Sequence, residues 1–397
     1  MLAASAKLSI ISGMGLFRAI LVILFSGIFF YVSHQLLRFT GVELPIVLGV
    51  LAFLVLIFGL VLAMPLYLLD ESKKEHKPWH DSLLTASHFA LAYVNFLGTL
   101  VILRDVFSFF TNYIFTPQYG WMQADALYGQ NALGLLLVLP FMMIMIGTIV
   151  VRVGPRLTKV EVRSPKLPKS FDGLRILHIT DLHIGTSLPL TFVQKLVKLT
   201  QEVKADLVVY TGDIIDGHIV RHLNELELLR SVPAPLGNFY VTGNHEYYWQ
   251  GDQALAAFRS IKFHVLVNDV YNIERGTDFL QIAGTPDPAA KGFGLEGPNF
   301  DKVKQDLLPG AFKILLAHQP FQAPLAEAAG FDLQLSGHTH GGQFFPWNFL
   351  IGFFQKYPKG LYKVGNLSLY VNQGTGYWGP SLRMGTYCEV TEITLRA

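Results

Sequence analysis

Long apolar windows open the chain, and short apolar runs separated by turns fill the remainder. Crossing a bilayer as a helix takes about 20 mostly apolar residues. Phe17–Leu37, Pro45–Leu69, Ser82–Leu103 and Gln130–Val151 each meet that requirement. The third window contains His88 and Asn95, so a buried or interfacial helix competes with a span there. Polar residues at such positions serve either function or hydrogen bonding between helices. The first window also has the length of a secretory signal peptide. No small-residue cleavage pattern follows it and three more windows do, which favours an uncleaved anchor.

From about Lys159 the period changes. LRILHIT (174–180), DLVVYTG (206–212), GNFYVTG (237–243), FLQIAGT (279–285), FKILLAH (312–318) and FDLQLSG (331–337) read as buried strands. Leu188–Val203 has Phe192, Leu196, Leu199 and Val203 at helical spacing, and Gln253–Ser260 reads as a shorter helix. Strands alternating with helices predict a layered α/β domain. The expected organisation is a transmembrane helical region of about four spans over 1–152, a basic juxtamembrane linker over 153–168 and an α/β domain over 169–397.

Charge sharpens this division. Residues 1–152 hold 15 of the 60 charged residues, and the following 245 residues hold the other 45. Lys73, Lys74 and Lys77 lie between the second and third windows, and Arg152, Arg156, Lys159, Arg163, Lys166 and Lys169 follow the fourth. The other two loops offer Arg38 and Arg104. With four spans, the positive-inside rule puts both basic segments, the N-terminus and the α/β domain in the cytoplasm. A net charge of +2 without a dense basic stretch gives no reason to expect nucleic acid. The one cysteine, Cys388, excludes an intrachain disulfide and a cysteine-rich zinc site, and reads as a small buried residue on a late strand.

The chemistry stands at the strand ends. Asp181 and His183 follow the first run, Asp213 and Asp216 the second, and Asn244, His245 and Glu246 the third. His318 ends the fifth, and His338 and His340 follow the sixth. Ligands collect at such strand ends in α/β sheets. Carboxylate, amide and imidazole donors without thiolate suit manganese, iron or zinc. Each short motif alone is ordinary turn or surface chemistry; together, in order, each after a strand, they are hard to assign to packing.

The series Asp181-x-His183, Gly212-Asp213-x-x-Asp216, Gly243-Asn244-His245-Glu246, His318 and Gly337-His338-Thr339-His340 resembles the calcineurin-like metallophosphoesterase superfamily, and the extended run Gly337–Gln343 with Gly360-Leu361-Tyr362 and Asn372-Gln373-Gly374 resembles its membrane-anchored bacterial branch. The resemblance covers about 165–397 and implies a four-layer α/β/β/α sandwich holding two divalent metal ions, manganese favoured over iron or zinc. It implies that Asp181, His183 and His340 hold one ion and Asn244, His318 and His338 the other, with Asp213 bridging. His245 would then serve the leaving group, oriented by Asp216. Protein Ser/Thr phosphatases of the superfamily carry arginines where this chain has Gly217 and Thr242. Arginine is the usual clamp for a phosphomonoester dianion, so a phosphodiester or pyrophosphate is the expected substrate. The branch includes enzymes that cleave UDP-diacylglucosamine, which makes a lipid-linked substrate an expectation. The contrasting reading is a non-catalytic membrane signalling or scaffold protein that binds phosphorylated ligands.

Other residues carry open alternatives. FFPWNFLIGFF (344–354), followed by Lys356 and Lys359, either meets a bilayer or acyl chain, fills a core, or packs on the transmembrane bundle. His178 reads as a packed histidine, His218 and His222 as an exposed helix start or substrate contacts, and Arg383 as either a phosphate contact or a structural pair.

Overall fold

A computed structural model of the chain describes residues 22–39, 42–70, 78–111, 126–185 and 187–397. Two compact units divide it, Met1–Ile146 and Gly147–Ala397. Residues 17–21 of the first apolar window and the lysines at 73, 74 and 77 lie outside the described residues.

Among the described residues three helices are long and apolar enough to cross a membrane, Leu44–Asp70, Pro78–Phe110 and Gln130–Val153, and Val22–Leu36 is a shorter apolar helix. Their apolar side chains point outward as well as inward: Leu135, Val138, Phe141, Met142 and Met145 are exposed. A helix apolar on all sides suits a hydrocarbon solvent better than water. Inside the first unit the ring of Tyr93 packs on Phe53 and Phe141, at centroid distances of 5.3 and 4.7 Å. The second candidate span continues past Leu103 to Phe110, so Arg104 is a helix residue rather than a loop residue. It is buried against Asp105 at 2.7 Å.

The second unit is built on two six-stranded sheets. In chain order the strands are β1 (Arg156–Arg163), β2 (Arg175–Ile179), β3 (Leu207–Thr211), β4 (Asn238–Val241), β5 (His264–Val265), β6 (Asp269–Arg275), β7 (Asp278–Gly284), β8 (Phe312–Leu316), β9 (Leu333–Ser336), β10 (Gly360–Val364), β11 (Leu367–Val371) and β12 (Glu389–Arg396). One sheet runs β1-β12-β2-β3-β4-β5 and the other β10-β11-β9-β8-β7-β6. β1 lies inside the stretch read as a basic linker. RLTKVEVR is half-exposed at the sheet edge, so its charged positions face water and mask its strand periodicity.

Strand alternation sorts the side chains into layers. Ile176, Leu207, Val209, Phe239 and Ile393 of the first sheet meet Leu280, Ile282, Ile314, Leu316 and Leu335 of the second in one core. On the other face of the first sheet, Leu177, Val208, Tyr210 and Tyr240 pack against helix residues Phe192, Leu196, Leu229 and Phe258. Behind the second sheet, Leu315, Leu367 and Leu369 pack against Val303, Ala323 and Ala326. Helices thus flank a pair of packed sheets. β2, β3 and β4 are parallel to one another, as are β8, β9 and β11, and the loops after these strands carry the candidate ligands.

Candidate metal centre

Every residue read from the sequence as a ligand lies where a parallel strand stops. Asp181 and His183 follow β2, Asp213 follows β3, Asn244 opens the helix Asn244–Trp249 after β4, His318 follows β8, and His338 and His340 follow β9. At these exits the chain turns through left-handed backbone: φ is 49° at Asp181, 52° at His183 and Asp213, 73° at His338 and 50° at His340. Asp, Asn and His tolerate that region better than other non-glycine residues. Two glycines leave room for the carboxylates. A Cβ on Gly243 would stand 2.1 Å from Asp213 Oδ1, and one on Gly337 would stand 2.0 Å from Asp181 Oδ2.

Three sets of donor atoms converge, each within 4.8 Å: Asp181, His183 and His340; His183, Asp213 and His245; Asp213, His318 and His338. Asp213 belongs to two of them. Asn244 joins the last set, its Oδ1 3.1 Å from His338 Nδ1. His183 Nε2 and His340 Nε2 are 3.0 Å apart, and His318 Nε2 lies 3.1 Å from Asp213 Oδ2.

Metal fit can be tested on His318. Its Nδ1 donates to the carbonyl of Thr211 at 2.7 Å, so in the neutral ring Nε2 presents a lone pair toward the Asp213 carboxylate. Lone pairs facing each other in a buried site need a proton or a cation between them. A cation suits this donor set of carboxylate, amide and neutral imidazole. Burial pushes Asp181 above the usual carboxylate range. It also lowers His338 to about 4, whereas at His318 burial is outweighed by the Asp213 carboxylate, which raises that histidine well above its ordinary value, so a proton fills the gap to Asp213 that a cation would take. Burial and the His183 charge hold His340 well below its ordinary value. Neutral imidazole is the form that binds metal.

His245 lies in the same cluster under different control. Burial opposes its charge, but the carboxylates of Asp216 and Asp213 outweigh burial and bring it up to about 9. Its Nδ1 donates to Asp216 Oδ1 at 2.9 Å, and its backbone N–H donates to Asp213 Oδ1 at 2.8 Å. Asp216 is also held by Trp249 Nε1 at 2.8 Å and approaches His183 Nδ1 at 3.3 Å.

Sequence reasoning missed the residues that hold this frame. Glu246, seen only as part of a motif, is buried and accepts backbone N–H groups of Gly243 at 2.8 Å, Asp213 at 3.0 Å, Ile214 at 2.7 Å and Ile215 at 3.2 Å. It fastens the loop after β3 to the helix after β4. Arg383 is no phosphate contact: it is fully buried, and its guanidinium donates to the carbonyls of His340, Gln373, Gly374 and Gly376. Lys359, exposed, lays its stem on the metal loop, with Cδ 3.1 Å from where a Cβ on Gly341 would stand. His178 is buried against Thr211, and His218 and His222 are half-buried rather than exposed, because His218 packs on Trp249 and His222 approaches Glu225.

Clustered Asp and His side chains at the ends of parallel strands, on two packed sheets, form a candidate metal-binding site. Residues 174–342 match the description of the calcineurin-like phosphoesterases. An uncharacterized metallophosphoesterase of Bacillus subtilis is 31% identical over 251 residues, 60% of this chain and 85% of that one. The chain belongs to the calcineurin-like metallophosphoesterase family. An uncharacterized metallophosphoesterase of Campylobacter jejuni is 39% identical over 61% of this chain and 63% of its own length. A transmembrane protein with metallophosphoesterase domain from Danio rerio is 34% identical over 61% of this chain and 57% of its own length. The match thus spans less than two thirds of each of these last two relatives. Family and donor clusters together support a hydrolase that uses divalent metal, and the relatives with the apolar helices support membrane association.

Proposed function

We propose that this protein is a membrane-anchored phosphohydrolase that cleaves phosphodiester or pyrophosphate bonds with two divalent metal ions, and that its substrate is lipid-linked. The observation that carries the reading is the convergence of buried donors from five strand ends on Asp213, which belongs to two donor sets. Asp181, His183 and His340 would hold one cation, and Asn244, His318 and His338 the other, with Asp213 between them. When bound, such a pair supplies Lewis acidity at the phosphoryl oxygens and an acidified water as nucleophile. His245, its Nδ1 engaged by Asp216, has Nε2 left to give a proton to the departing oxygen.

The substrate preference rests on what flanks the site. Thr242 is buried with its hydroxyl 2.7 Å from that of Tyr247, and Gly217 offers no side chain, so neither place supplies a cation for a monoester dianion. A diester or pyrophosphate has less charge to neutralise. UDP-diacylglucosamine is the particular lipid-linked pyrophosphate that the resemblance suggests. The basic residues after the last candidate span support a cytoplasmic catalytic unit on a multi-pass anchor.

The test is manganese-dependent hydrolysis by detergent-purified protein of bis-p-nitrophenyl phosphate, p-nitrophenyl phosphate and a lipid-linked pyrophosphate. Activity on the diester or the lipid, lost in Asp213→Ala and His245→Ala, is expected. Bound metal without hydrolysis would replace the enzyme with a binder of phosphorylated ligands.

A further inference from the structure

The helix Trp347–Phe354 begins five residues after Gly342, in the chain that carries His338 and His340, and none of its residues is buried. Phe349 is 71% exposed, Phe353 84% and Phe354 72%. Residues four apart on a helix share a face, so Phe349 and Phe353 form one apolar face, and Phe354 extends the exposed apolar surface at the helix end. Lys356 and Lys359, both exposed, follow directly. The catalytic domain is also tethered: the candidate span Gln130–Val153 ends three residues before Arg156, where β1 starts. A tether this short keeps the domain at a high effective concentration next to the bilayer.

We propose that Trp347–Phe354 docks the catalytic domain on the bilayer surface, with Phe349, Phe353 and Phe354 at the acyl boundary and Lys356 and Lys359 at anionic headgroups. The pattern of apolar face and adjoining lysines is that of an interfacial helix. The docking element also adjoins the candidate site. A Cβ on Gly342 would stand 2.3 Å from the Trp347 carbonyl oxygen, so the helix starts on the metal loop. Gln343 clasps Trp378, accepting its backbone N–H at 3.0 Å and donating to its carbonyl at 2.8 Å. The Trp378 ring lies 6.1 Å from that of His245. Docking therefore turns the His245 rim toward the headgroup plane, and phosphoesters resident in the bilayer are the substrates that reach it. This consequence rests on the phosphohydrolase reading above; the docking itself does not.

The experiment places a nitroxide at Phe353→Cys in the full chain, reconstituted in vesicles of phosphatidylcholine and phosphatidylglycerol. Cys388 is fully buried, so the label is directed to the introduced thiol. Relaxation enhanced more by oxygen than by a water-soluble nickel chelate is expected. Enhancement mainly by the chelate overturns the proposal, as does protection from both reagents, the result for a surface covered by protein or by a second copy. A second arm follows Phe349→Asp combined with Phe353→Asp. Hydrolysis of vesicle-embedded CDP-diacylglycerol is expected to fall about tenfold, with hydrolysis of bis-p-nitrophenyl phosphate in detergent unchanged. Unaltered turnover of the embedded lipid, or equal loss on both substrates, overturns the link between docking and substrate. If the unmodified protein hydrolyses neither, the enzyme reading fails while the nitroxide still decides the docking.

Discussion

The Nδ1 of His245 donates to Oδ1 of Asp216 at 2.9 Å, and this bond decides which imidazole nitrogen is available to substrate. Asp216 is not free to turn away, because Trp249 donates to the same oxygen at 2.8 Å. A carboxylate partner fixes both tautomer and ring orientation. Replacing it with an amide permits the opposite tautomer. Asp216→Asn is expected to lower kcat by about 10²-fold while metal content stays at the unmodified level. Elemental analysis beside steady-state rates checks this; unchanged kcat would remove Asp216 from the orienting role.

Metal occupancy gives a sharper test of Asp213. Unmodified protein loaded with manganese and desalted is expected to carry about two ions per chain. Asp213→Ala should lose most of both. Gly243→Ala should do likewise without touching a donor, since the added Cβ would stand 2.1 Å from Asp213 Oδ1. Full occupancy in Gly243→Ala would mean that the carboxylate can move without loss of the site.

Arg383 makes a stability prediction. Its buried guanidinium gathers carbonyls from the loop after β11 and from His340, an arrangement that depends on a planar fork of donors. Arg383→Met leaves those carbonyls unpaired. It is expected to cost about 3 kcal/mol, measured as a fall in thermal midpoint. Arg383→Lys should recover little of it, because one ammonium cannot reach four carbonyls. A midpoint within error of the unmodified protein would contradict this account.

His178 predicts an acid limb of stability. It is fully buried, and desolvation brings it from its ordinary 6.5 down to about 3. The unfolded chain accepts a proton as pH falls through 6.5 and the folded chain does not, so the stability present above that value is lost progressively toward pH 3. The slope approaches about 1.4 kcal/mol per pH unit. His178→Gln should flatten that limb relative to the unmodified protein in thermal scans between about pH 5 and 7. Parallel curves for the two proteins would exclude His178 as its source.

The site was more legible in the sequence than the sheets that carry it. β2, β3, β4, β7, β8 and β9 are buried runs of Leu, Ile, Val and Phe, and each ends in a turn, so hydrophobicity alone marks them. β12 reads EVTEITLR, and its polar residues hid it. Glu389 and Thr391 are buried in a hydrogen-bonded group with Tyr370 and Asn372, including Asn372 to Thr391 at 2.9 Å. Such polar positions are compatible with a buried strand only through partners distant in sequence. β5, at two residues, is too short to show a period. The candidate ligands stood out because metal chemistry restricts residue type. Glu246 and Arg383 act on backbone groups, and nothing in residue type foretells which carbonyl or amide a side chain will meet.

The left-handed corners at Asp181, His183, Asp213, His338 and His340 bear on how this centre can be re-engineered. Attempts to change metal selectivity usually trade one donor for another by charge and softness. Here each trade must first satisfy a torsion angle. Glutamate or cysteine could offer a suitable electron pair at Asp213, but neither has the tolerance for φ near 52° that the short aspartate has. Retuning is therefore better directed at Asn244, which lies at the start of a helix and is absent from the positive-φ positions. There a new donor would join the candidate site without first meeting the backbone.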